Sequence, residues 1–214
     1  MVELFEPIRK DIIEVFQYVP RSILIGIIAG IFVQIIYWSI GKQRAFFKNA
    51  VPVGLLAAYM AQMLQIAFFS REAGTRTTVS LKLFETWTPD AQGRAYVIEN
   101  ILFFVPFAIL LCICLKVLGR HRLWIVPIAG ALLSLSIETM QLIAGRGYFQ
   151  VDDIATNIVG TVVGLIIFWC IKLICKKVLN ILFCLSVGNF GWKSPFLSSC
   201  RQKIQSSKRP PHDF

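Results

Sequence analysis

Apolar residues fall in five long runs, about Ser22–Ile40, Ala50–Phe69, Ile98–Leu118, Leu123–Ala144 and Ile154–Ile174. Each is close to the roughly 20 residues with which an α-helix crosses the hydrocarbon core of a bilayer. The pattern predicts an all-α integral membrane protein of about five transmembrane helices, built as one membrane domain over residues 22–175. In residues 1–21, Leu4, Ile8, Ile12, Val15 and Val19 recur at helical spacing among charged residues. That segment reads as an amphipathic helix on the membrane surface rather than a signal peptide, with Pro20 marking the turn into the first span. Residues 176–214 read as a short apolar, interfacial segment followed by a basic disordered tail. A sixth span there would have to include Lys193.

Polar positions inside the runs refine the picture. Gln34 stands alone in the first span, a pattern typical of a hydrogen bond between helices. Gln62 and Gln65 lie near the end of the second. Pro106 lies in the third, where a kink is expected. The longest connection, residues 70–97, contains TRTTVSLKLFETW, whose β-branched and aromatic residues suit a short hairpin or re-entrant flap. Its length suits a functional element or lid.

Composition narrows the class further. Hydrophobic residues make up 56% of the 214-residue chain and charged residues 16%, against about 25% in soluble domains. Mean hydropathy is +0.67. The formal charge is +10, but Lys and Arg mostly flank the apolar runs. They serve topology and anionic head groups, not nucleic acid. Six cysteines without a CxxC pattern suit reduced packing residues.

The richer Lys/Arg group, Lys42, Arg44, Lys48, Lys116, Arg120, Arg122, Lys172, Lys176 and Lys177, falls on alternate connections. Basic residues near span ends favour the cytoplasm. The N-terminus is therefore expected outside and the C-terminus in the cytoplasm. Asn100 then lies at the outer end of the third span, Glu138 and Gln141 in the outer part of the fourth, and Asp153 and Asn157 at the start of the fifth.

This convergence is the candidate chemistry. Ser134, Glu138 and Gln141 are spaced four and three, so they share a helix face. Asp153, Asn157, Gly160 and Gly164 share another, with Gly160 and Gly164 forming a GxxxG contact that admits a neighbouring helix. A carboxylate inside a span costs about 2.5–3.5 kcal/mol on the insertion scale, so Glu138 calls for a partner or a task. Arg146 can pair with Glu138, Asp152 or Asp153. In one reading Glu138 and Arg146 form a buried ion pair that sets helix register, and Asp152 caps the fifth helix. In another the cluster binds a polar ligand at the outer leaflet. In a third Glu138 is buried in its protonated form. His121 and His212 both fall on the other side, which leaves no Ser–His base or His-ligated zinc. The carboxylate spacing matches no metal motif, and no cofactor is implied. Carboxylate acid–base chemistry stays open.

At these residues the sequence resembles the VanZ-like family of small membrane proteins. The family pattern is roughly E-x-x-Q, an Arg loop, then D-D-x-x-x-N-x-x-G-x-x-x-G. Here it reads Glu138, Gln141, Arg146, Asp152, Asp153, Asn157, Gly160 and Gly164. An earlier element, N-x-x-x-F-x-P-F-G, appears as Asn100, Phe104, Pro106 and Phe107, with Ala108 in place of the usual Gly. Val79–Phe84 resembles the family's V-N-L-I-P-F, and Gln150 stands where many members carry an acid. The resemblance covers about Val51–Gly164. It implies an envelope role in a bacterium, and the family takes its name from a protein that gives low-level resistance to teicoplanin and much less to vancomycin.

Three functions follow as expectations. The first is a non-enzymatic protein of the bacterial cell membrane whose outer-face cluster binds a membrane lipid, a lipid-linked glycan or a lipoglycopeptide. The second is an enzyme acting on a lipid-linked substrate, with Glu138 or Asp153 as acid or base. The third is a proton-coupled transporter or flippase.

Overall fold

A computed structural model of the chain describes residues 16–40, 46–69, 74, 78–83 and 91–188. Most of the N-terminal amphipathic segment, the flanks of the long connection and the tail from residue 189 lie outside the described residues. Among the described residues five helical segments are long and apolar enough to cross a membrane, and they contain α1 (Val19–Ser39), α2 (Val51–Leu64, which spans together with the turns that flank it), α3 (Ala91–Cys114), α4 (Arg122–Ile143) and α5 (Val151–Gly188). The protein is an all-α multi-pass membrane protein.

Helix starts follow local chemistry. Pro20 and Pro52 occupy the first turns of α1 and α2, where a missing N–H costs no helical bond. A π-helical turn, Phe46–Ala50, leads into α2, and another, Gln65–Phe69, closes it. The third span begins earlier than its apolar run, at Ala91, because Gly93, Ala95 and Val97 are buried while Arg94 and Tyr96 face outward. It also ends earlier, at Cys114. Residues Lys116–His121 form a 3-10 turn in which Gly119 has a φ of 52°. The helix runs through Pro106.

Small residues set the helix crossings. A Cβ on Gly26 would lie 2.6 Å from the Gly54 carbonyl oxygen, and one on Gly54 would lie 2.8 Å from that of Gly26. This contact joins α1 to α2 through Gly26, Gly30, Ala50, Gly54 and Ala58, a small-xxx-small pattern on both helices. At its edge Ser22, Gln62 and Gln65 form a polar knot: Ser22 Oγ lies 2.7 Å from Gln62 Oε1 and accepts from Gln65 Nε2 at 2.9 Å. Gln34 takes no part in it, and its buried Oε1 has no hydrogen-bond partner among the described residues. The apolar core joins α2, α3 and α4 around Met63, Ala67, Phe104, Phe107 and Ile137. Tyr59 Oη donates to the Phe103 carbonyl at 2.6 Å.

Gly160 and Gly164 bring α5 against α3. A Cβ on Gly164 would stand 2.5 Å from the Val105 carbonyl oxygen, and one on Gly160 would run into the Ile101 carbonyl. On α4, Gly130 makes room for Thr161 of α5.

The chain divides at Phe168 into two compact units. In the second, α5 continues through Lys176 and Lys177 to Gly188 without a break. Its described side chains are mostly exposed, and the Lys172 ammonium lies 4.6 Å from the centre of the Trp169 ring.

The long connection forms no local hairpin among the described residues. Its strand β1 (Val79–Ser80) pairs in parallel with β2 (Phe149–Gln150), in the loop between α4 and α5. Two loops at one end of the bundle thus satisfy each other's main-chain groups, a stronger requirement near a bilayer than in water.

Candidate functional site

The site is built around the end of α4. After Ile143 the chain makes a left-handed turn at Gly145, with φ at 62°. The Gly145 N–H donates to the Leu142 carbonyl at 3.1 Å, and the Arg146 N–H to the Gln141 carbonyl at 2.9 Å. This is the Schellman arrangement, which depends on a residue without Cβ strain at that position. It directs residues 146–150 back across the helix end and into β2. The long connection is tied down there as well: the Gly74 N–H donates to the Gly145 carbonyl at 2.9 Å, and the Phe149 N–H to the Thr78 carbonyl at 3.1 Å.

Glu138 lies one turn and a half inside that end, and is 3% exposed. Its Oε2 accepts the Gln150 N–H at 3.0 Å. Gln150 immediately precedes the first residue of α5, so the carboxylate sits against a helix N-terminus, where the macrodipole favours negative charge. The carboxylate therefore reaches across from α4 and serves the position that Asp152 was expected to fill from within α5.

Gln141 and Arg146 serve the neighbouring helix. Gln141 Nε2 donates to the Ala67 carbonyl at 2.9 Å, and Arg146 Nη1 to the Phe68 carbonyl at 2.8 Å. These carbonyls belong to the π-helical turn that closes α2, and the last carbonyls of a helix have no donors within it. Two motif residues thus cap a helix more than seventy positions earlier in the chain. The guanidinium also complements the negative end of the α2 dipole.

Asp152 is buried and Asp153 half-buried in the first turn of α5. Their carbonyls accept the Thr156 hydroxyl at 3.0 and 3.1 Å. One turn further, Asn157 Nδ2 donates to Ser134 Oγ at 2.9 Å in a fully buried contact. Asn157 Oδ1, also buried, has no hydrogen-bond partner among the described residues. The polar faces of α4 and α5 therefore meet, as their spacing implies, at Ser134 and Asn157.

Asn100 is half-buried on α3, beside Ile101, whose carbonyl faces Gly160. Among the described residues no hydrogen bond joins it to Glu138, Gln141 or Asn157. No group of three His, Cys, Asp or Glu side chains among the described residues could hold a metal ion.

Three features of this end escaped the sequence. They are the β1–β2 pairing, the capping of α2 by Gln141 and Arg146, and the role of the Gln150 N–H. None left a signal, because each runs to a main-chain group of a segment distant in the chain.

The family model described as VanZ/LLP1 matches residues 53–176, which include every residue of this site. No curated protein and no solved structure matches the chain.

Proposed function

The chain belongs to the VanZ/LLP1 family, and from that premise we propose that it is a bacterial envelope protein. Its Glu138 end binds the polar head of a membrane lipid, a lipid-linked glycan or a lipoglycopeptide at the outer leaflet. One observation carries this reading. Glu138 is a carboxylate kept buried at the end of a transmembrane helix, although the N–H it accepts at the start of α5 could be served by a neutral capping side chain. Retaining a costly charge there suits recognition of a ligand with amine or hydroxyl donors. The paired loops above it suit a ligand that arrives from the membrane surface. The Lys/Arg distribution supports placing this end outside. On this reading the protein contributes to teicoplanin tolerance, because a drug with an acyl tail partitions to the depth at which Glu138 lies.

The test compares empty vector, wild type and Glu138→Gln in a Gram-positive host, with membrane levels matched by blot. Wild type is expected to raise tolerance to teicoplanin more than to vancomycin, and Glu138→Gln to remove the gain. No change with wild type would end the drug-tolerance claim. Binding of a lipid-linked glycan by purified protein in nanodiscs then tests the rest, and equal binding by wild type and Glu138→Gln would overturn it.

A further inference from the structure

The opposite end of the bundle holds a cavity of about 460 Å³ between α1, α2 and the end of α3. Its origin lies in how α1 and α2 cross. A Cβ on Gly26 would lie 2.6 Å from the Gly54 carbonyl oxygen, whereas one on Gly30 would lie 3.4 Å from that of Ala50, so the crossing loosens toward this end. Beyond Gly30, α1 presents Val33, Ile36, Tyr37 and Ile40 at spacings of three, one and three, a single face. Pro52 and Val53 of α2 form the facing wall. Large side chains on one helix and a proline on the other hold the helices apart, and an apolar groove opens between them at membrane depth.

The mouth of this groove is basic. Lys48 and Asn49 line it, with the Lys48 side chain exposed and the Asn49 side chain half-buried. Pro52 has no N–H to offer the carbonyl four residues back, and Lys116 Nζ donates to that Lys48 carbonyl instead. This contact brings a second ammonium to the mouth with two of its three donors still available. Among the described residues no acidic side chain lines the cavity.

We propose that this groove binds an anionic phospholipid of the surrounding bilayer, with one acyl chain along Val33, Ile36 and Val53 and the phosphate between Lys48 and Lys116. Charge complementarity selects the occupant: a zwitterionic lipid carries its own ammonium to a mouth that already holds two, whereas an anionic lipid carries none. The site is separate from the Glu138 end and does not depend on that end's function.

The test uses the full chain purified in detergent and titrated with phosphatidylglycerol or phosphatidylcholine of matched acyl chains, read by native mass spectrometry. Phosphatidylglycerol is expected to bind more tightly. Lys48→Gln should weaken it about fivefold, the contribution of one basic residue at a membrane surface, and leave phosphatidylcholine unchanged. Val53→Trp, which fills the groove without altering charge, should weaken both lipids. Equal affinity for the two lipids, or indifference of phosphatidylglycerol to Lys48→Gln, would overturn the proposal. Competition by glycerophosphate as effective as by the intact lipid would overturn it too, because it would remove the acyl chain from recognition.

Discussion

Helix α4 carries a buried charge at each end, and the two are held in different ways. Arg122, 4% exposed, starts the helix. Its Nε donates to the Gly119 carbonyl at 3.0 Å and its Nη1 to the Cys112 carbonyl at 2.8 Å, with the guanidinium 5.3 Å from the centre of the Phe168 ring. The two carbonyls belong to the turn just before it and to the end of α3. Arg122 thus fastens one helix end to the next, in the way Arg146 fastens α2. Glu138, at the other end, reaches the main chain of a strand that a distant loop pairs with. Burial is the same at both ends, so burial alone does not distinguish architecture from site. The partners do: Arg122 binds carbonyls that no other donor within their helix can reach, whereas Glu138 binds an N–H at a helix start that an ordinary capping side chain could have served.

Substitutions can break this contrast. The largest effect is expected for Arg122→Ala. It leaves two carbonyls without a donor and removes the cation–π contact, at a cost of about 3–5 kcal/mol. The thermal midpoint of the purified protein in detergent should fall by several degrees. Glu138→Gln is nearly isosteric, and its amide oxygen can still accept the Gln150 N–H. It should cost about 1–2 kcal/mol and leave the protein folded. If it destabilises as much as Arg122→Ala, Glu138 is a structural tie and the contrast fails. Gly145→Ala should cost about 1 kcal/mol, from a φ that a Cβ disfavours. Hydrogen exchange should rise at Phe149 and Gln150 more than at the buried turns of α4.

Much of this was legible because a bilayer makes composition decisive. The five spans follow from apolar length. The shared faces of Ser134 with Glu138 and of Asn157 with Gly160 follow from helical spacing. The contact of Ser134 with Asn157 follows from the short loop that makes α4 and α5 neighbours. The start of α3 was hidden, because Arg94 looks like a loop residue until Gly93, Ala95 and Val97 are seen to be buried around it. The Gly26–Gly54 crossing was present as small residues four apart on both helices, but spacing on one helix does not name the partner. The same held for Gly160 and Gly164, which meet α3. The partners of Gln141 and Arg146 were beyond reach, because main-chain carbonyls leave no mark in a sequence.

The pairing of Val79 with Phe149 also sets an order of assembly. The α1–α2 contact uses only residues up to Gln65 and can close while the rest of the chain is still being made. The strand at Val79 must wait for seventy further residues before its partner exists. The carbonyls of Ala67 and Phe68 wait as long for Gln141 and Arg146. During synthesis, which runs at about 5–20 residues per second, the α2–α3 connection therefore spends several seconds without its native partners. The Glu138 end cannot be completed before Gln150 is made, and a chain truncated before Gln150 keeps its first four spans with that end still open.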